Sequence, residues 1–325
     1  MIVGKDLEAW LADRLRQRAT QAAIDDFARA WRGGPVHRHF DEALAGLPEQ
    51  SAEAIVEAMR GLFADHGWVD ALIDGLAGAM AGDPFLEPPF PAVNSDVHNG
   101  LLVFEDPRVS IAVGVSAASQ LAAKKSGPRG PTSIGFTGQM TVLKFLRGGD
   151  ALLSIWEAPP ITADFASGSA GACRRVGERR LADGDMLVID GRHQAYVIEH
   201  ARANLVVLQA AIAQDQAPLS VEYDSASLAY VGCSATGDGA SRIQMITTLL
   251  RKLGCEGAFQ PVAAFLDHPD FFVRWHVMKE LLGIDAEAAL PRLKRMAAGD
   301  PHPEARRAAR SVLDRLDASN QSKAA

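Results

Sequence analysis

The sequence predicts a multidomain α+β chain: an α-helical region over residues 1–92, a β-barrel or jelly roll over 93–236, and an α-solenoid of helical repeats over 237–325. Three observations carry that prediction. Apolar residues recur at helical spacing near the start, short β-branched runs separated by Gly and Asp fill the middle, and a 32-residue period marks the end. At 325 residues the chain exceeds what one core usually organises, which agrees with several domains.

In the first segment Leu7, Trp10, Leu11, Leu15, Ile24, Phe27 and Trp31 form one apolar stripe, so 5–31 reads as an amphipathic helix. Gly33-Gly34-Pro35 breaks it. A second helix is expected at 51–65, with Ser51 as N-cap ahead of Ile55, Met59, Leu62 and Phe63, and a third at 68–81. His37 and His39 have H-x-H spacing but follow the Gly-Gly-Pro break and are expected to open a helix. There, positions i and i+2 diverge by about 200° and cannot share an ion. Four prolines within 83–93 then favour an extended crossing segment.

About nine strands are expected between 97 and 233, among them SIAVGV, TVLKFL, ALLSIW, MLVI, AYVI and NLVVLQAAI. Arg147-Gly148-Gly149-Asp150 and Asp190-Gly191 supply turns, the latter being the favoured hairpin dipeptide. Two longer loops, 124–133 and 159–175, lie where binding residues tend to sit. Arg174, Arg175, Arg179 and Arg180 read first as a charged strand edge, which blocks unwanted pairing, and second as a grip on an acidic ligand. Past 238 the spacing is helical again. Arg242, Arg274 and Arg306 recur at the 32-residue period, as do Leu249, Leu281 and Leu313, and Pro269 with Pro301. Paired helices at such a period stack into a solenoid.

Composition narrows the partners. Forty acidic against 33 basic residues, a net charge of -7, argues against a nucleic-acid partner. No apolar run of about 20 residues is present and the first residues are charged, so neither a membrane span nor a secretory signal is expected, and the expected location is cytoplasmic. Cys173, Cys233 and Cys255 are odd in number and form no C-x-x-C pair, so no disulfide framework or zinc knuckle is indicated.

Two family resemblances add to this. The last segment resembles HEAT-type repeats over roughly 240–317, through a D-P-x-P-E-x-R-x-A-A pattern present as Asp300, Pro301, Pro303, Glu304, Arg306, Ala308 and Ala309. That resemblance implies protein interaction or packing. The unit before it departs, with Phe271, Phe272 and Trp275 where small residues are usual. The middle segment resembles the RmlC-like cupins through Gly184-Asp185, the strand Met186-Leu187-Val188-Ile189, then Gly191 and His193. In that family the histidine is a metal ligand, and the resemblance carries that role to His193.

Metal cupins also use two histidines one residue apart and a carboxylate, because residues i and i+2 of a strand share a face. The matching stretch, 141–157, has no histidine: Ser154 and Trp156 take the paired inward positions and Glu157 is the remaining acid. The second signature is also about two residues shorter than usual. A ligand pocket of His193, Glu157, Trp156, Ser154 and His98 is therefore expected without a metal or other cofactor. The alternative is an iron or manganese site of His193, His98 and Glu157. The leading functional expectation is a non-catalytic small-ligand or protein-binding scaffold, with a protein partner on the helical repeats and pairing into a homodimer suggested by the cupin resemblance. The alternative is a cupin-type enzyme, a metal-dependent oxygenase or metal-free isomerase, using His193.

Overall fold

The computed structural model describes residues 4–47, 51–126 and 133–324. The expected first helix is two: α1 (Lys5–Ala12) and α2 (Arg14–Arg32). Asp13 causes the break. Its extended backbone leaves the helix, and its carboxylate accepts the N–H groups of Leu15 and Arg16 at 2.9 and 3.0 Å, so it caps α2. α3 (Pro35–Ala45) opens at the proline and carries His37 and His39, so that H-x-H pair is helical as expected. α4 (Ala52–Ala64) starts at Ser51, whose hydroxyl accepts the Ala54 N–H, and α5 (Gly67–Gly82) completes the region.

Twelve strands follow among the described residues, where about nine were expected. Two not anticipated, β1 (Ala92–Asn94) and β4 (Ser133–Phe136), are too short for a period-2 apolar signal, and β7 (Arg174–Arg180), which is almost wholly polar and so absent from the apolar runs, forms the charged strand edge expected of its arginines. The others are β2 (His98–Asp106), β3 (Val109–Ser116), β5 (Met140–Arg147), β6 (Leu152–Glu157), β8 (Met186–Asp190), β9 (Gln194–His200), β10 (Leu205–Ile212), β11 (Leu219–Asp224) and β12 (Tyr230–Ala235). A short helix, α6 (Ala118–Ser126), occupies the start of the loop expected at 124–133; residues 127–132 of that loop lie outside the described residues.

Of the barrel and the jelly roll that the sequence leaves open, the barrel does not form, since the sheets do not close on themselves. The strands sort into a six-stranded sheet in the order β1-β2-β3-β10-β5-β8, a three-stranded sheet β7-β6-β9, and a second three-stranded sheet β12-β11-β4. By chain contacts there are two compact units, one of Met1–Ile134, Gln139–Glu157 and Arg175–Gln216, the other of Gly135–Gly138, Ala158–Arg174 and Ala217–Ala325.

In the first unit the six-stranded sheet buries both faces. On one, Ile111, Val113, Val142, Leu208, Ala210 and Ile212 pack against Phe40, Leu44, Ile55, Met59 and Phe63 of α3 and α4. On the other, Leu143, Phe145, Leu205 and Val207 meet Leu153, Ile155, Tyr196 and Ile198 of the β7-β6-β9 sheet. Strand alternation places these sets on opposite sides. Lys144 points to the helix side and is 6% exposed, so its charge needs partners. Its Nζ donates to the Phe63 and Ala64 carbonyls at 2.7 and 3.1 Å, at the C-terminus of α4 where the helix dipole favours a cation.

The second unit is helical beyond β12: α7 (Asp238–Lys252), α8 (Phe259–Ala263), α9 (Phe271–Ile284), α10 (Ala286–Gly299) and α11 (Pro303–Ala324). The 32-residue period has a structural meaning here. Arg274 donates to the carbonyls of His268 and Pro269, six and five residues back, and Arg306 donates to those of Asp300 and Pro301 at the same offsets. Each arginine closes the turn that precedes its own helix. Arg242, one period earlier, pairs with Asp238 on the surface at 3.8 Å instead.

Candidate functional site

Asp190 and His193 bracket the turn between β8 and β9, but the turn is not the hairpin that Asp190-Gly191 suggests. β8 pairs with β5 and β9 with β6, so the chain crosses here from the large sheet to the small one. Gly191 is absent from the glycines with positive φ, which a type I′ hairpin requires. Asp190 organises the turn: its carboxylate accepts the Arg192 backbone N–H at 3.1 Å and the guanidinium Nε and Nη2 at 2.8 and 2.7 Å. Burial pushes the Asp190 carboxyl up, but the Arg192 bonds outweigh it and hold the group below the usual carboxylate range. His193 sits on the outside of this arrangement, 41% exposed in its side chain, with Nδ1 3.5 Å from Asp190.

The other expected pocket residues divide between the two faces of their sheets. Leu153 and Ile155 face the core between the two sheets of the first unit, so by alternation Ser154 and Trp156 lie on the opposite face of β6. The expectation that this pair points inward is thereby reversed. There, Ser154, fully buried, donates to Glu199 Oε1 at 2.5 Å and accepts from Trp156 Nε1 at 2.9 Å, with Arg175 3.7 Å from Glu199. Each polar atom of that chain has a partner, which is how burial of a hydroxyl and an indole N–H is tolerated. Glu157 continues the Leu153–Ile155 row, opposite Gln194.

His98, at the start of β2, belongs to the inner face. It pairs with Ser116, which in turn pairs with Leu205, and its Nδ1 lies 3.1 Å from Ser116 Oγ. The imidazole lies across β3 because Gly114 leaves room: a Cβ there would come within 2.5 Å of His98 Nε2. Burial lowers the His98 pKa and favours the neutral ring. Two further polar groups that sequence spacing did not single out share that face: Gln209, which pairs with Leu143, and Tyr196, which pairs with Ile155 and whose phenol is pushed up by burial. Their signal was the strand register, which only the fold supplies. Among the described residues no group of three His, Cys, Asp or Glu side chains is arranged to hold a metal ion.

The arginine cluster falls on β7, exposed along its length at the outer edge of its sheet. Arg175 meets Glu178, Arg179 meets Asp185 at 2.9 Å and Arg180 meets Asp150 at 2.5 Å. The edge is charged and internally neutralised. A different surface stands out in the second unit. On α7, Met245, Ile246 and Leu249 are 67%, 55% and 52% exposed, at spacings that put them on one side of the helix, and Leu253, its C-cap, is 67% exposed. No helix of the described residues is long and apolar enough to cross a membrane.

Antiparallel sheets flanked by helices, followed by helices that repeat at a fixed period, define a mixed strand and helical-repeat protein. The family of HEAT repeats matches residues 233–314. No curated protein sequence matches the chain. Among solved structures the chain is similar to ectoine synthase from P. lautus, at 10% identity and a TM-score of 0.23 over 37% of this chain and 67% of that one. It is similar to KdgF from Halomonas sp., at 12% identity and 0.23 over 38% and 90%, and to the Schizosaccharomyces pombe Cnp3 cupin domain, at 7% and 0.23 over 39% and 68%. At such TM-scores the likeness supports no functional argument.

Proposed function

We propose that this protein is a non-catalytic binding or scaffold protein whose helical segment engages another protein. The exposed apolar row of Met245, Ile246, Leu249 and Leu253 carries the reading, since solvent-facing apolar clusters of this kind mark interaction surfaces. The HEAT-repeat match over the same segment supports it. The strand segment then serves as a rigid body. A small ligand in it would meet His98 and Glu157 with Gln209 and Tyr196, rather than Ser154 and Trp156, which occupy the other face of β6.

The enzyme alternative places function on His193 with a bound iron or manganese. Metal analysis of the untagged full-length protein, before and after His193→Ala, separates the two. The binding reading expects no stoichiometric transition metal and the same melting temperature in both. A stoichiometric metal that is lost in the variant overturns it.

A further inference from the structure

The 32-residue period shows which face of a repeat helix is ordinarily covered. Val277 and Leu281 of α9 are fully buried, in a cluster with Val262 of α8 and Ala289 of α10. One period later Ala309 of α11 is fully buried in a cluster with Leu293 and Met296 of α10, against which Leu313 also packs. The same positions on α7 are Met245 and Leu249, and both are exposed. α7 meets α9 with other residues: His276 Nε2 lies 3.0 Å from the Gln244 carbonyl and from the Thr248 hydroxyl, and Thr248 and Arg251 donate to Glu280. Thr247, fully buried, is on the side of α7 away from Met245 and Leu249. α7 is thus turned about its axis relative to α9 and α11, and the row that the later repeats bury faces solvent.

Helices of the same array cover the equivalent positions on α9 and α11, so the row on α7 suits a helix. End-to-end stacking of copies does not supply one. The exposed side of the last helix, α11, carries Arg307, Arg310, Ser311 and Asp314, which would be buried against apolar side chains. A line of residues on α7 itself selects the occupant. Asp238, Met245 and Lys252 are all exposed and follow one another at seven-residue spacing, which keeps them on one side of the helix, with Met245 at its midpoint. Within its own chain Asp238 lies 3.8 Å from Arg242 on the surface. Two α7 helices packed antiparallel about a two-fold axis at Met245 set Asp238 of each copy opposite Lys252 of the other, and Leu249 opposite the small Ser241. A parallel pair would set like charges together.

We propose that the exposed face of α7 binds the same face of a second copy of this chain, antiparallel about a two-fold axis at Met245. The proposal rests on the reading of the helical segment as an interaction surface and names its partner. The cleft of about 420 Å³ bordered by α9, α11 and β12, which Phe271, Phe272 and Trp275 line, shares no residue with this face. One helix row is a small contact beside the roughly 800 Å² per partner of a standard interface, so association in the micromolar range is expected.

Sedimentation velocity of the full-length protein, from about 1 to 100 µM, is expected to show monomer giving way to dimer. Leu249→Glu, which sets a charge in the apolar contact, is expected to weaken the dimer by about tenfold or more. Leu249→Ser, with its unfolding transition compared with the parent, serves as the uncharged variant and is expected to act in the same direction. Asp238→Lys and Lys252→Glu each place like charges opposite one another at both ends of the pair, and each is expected to weaken the dimer several-fold, whereas the double variant restores it. A monomer over the whole range, a dimer insensitive to both Leu249 variants, or a double variant no better than the single ones overturns the proposal. A monomeric chain removes the second copy without touching the binding reading of the protein, which falls instead if a metal is lost on His193→Ala.

Discussion

His98 shows how one residue ties packing to function in the strand segment. Its ring needs Gly114 beneath it and Ser116 beside it, and its burial favours the neutral form. The direction of the shift fixes the pH dependence. The unfolded chain takes up a proton on this histidine below about pH 6.5 while the folded chain resists, so its contribution to stability is complete above that pH and is lost as pH falls below it. Urea denaturation at several pH values between about 5 and 7 should therefore show stability declining toward acid, and His98→Leu should flatten that slope; an unchanged slope would show that other groups set it. His193, by contrast, is 41% exposed in its side chain and lies at the turn between β8 and β9, with Nδ1 3.5 Å from Asp190.

At the scale of elements, the arginines of the repeat are the clearest case of sequence period becoming structure. Arg274 and Arg306 make the same two carbonyl contacts, but Arg274 also forms a buried double hydrogen bond with Asp300 at 2.9 and 2.7 Å. Burial pushes the Asp300 carboxyl up, yet Arg274 and the His302 N–H outweigh it and hold the group below its ordinary range. Arg274→Met would leave that carboxylate buried and unpaired and should cost about 3–5 kcal/mol by urea denaturation. Arg306→Met, which removes only bonds to carbonyls at a partly exposed position, should cost about 1 kcal/mol. Equal losses would contradict the distinction. Helices and the period were legible because each rests on local spacing. The arrangement of the strands was not, since Asp190-Gly191 offers a hairpin locally while β8 and β9 find better partners in β5 and β6. The facing of Ser154 and Trp156 failed for the same reason: alternation gives two faces, and only the packing of Leu153 and Ile155 says which is inside.

For the molecule as a whole, the order of helical region, strands and helical repeat follows the sequence, whereas the closed barrel does not; the strands form three sheets with separate edges. Absence of paired histidines in 141–157 was readable from the sequence and already weakened a metal site, but the α9–α11 cleft was not, because it depends on side chains brought together from α9, α11 and β12. In the proposed function the helical segment is the working surface. Its most direct test is a photo-crosslinking residue in place of Leu249 in the full-length chain within its native cells, with the same residue in place of Val176 on β7 as control. A discrete covalent adduct to one protein from position 249, absent from 176 and lost when Met245→Glu is added, is the predicted result; no adduct at 249, or the same adducts from both positions, would contradict it.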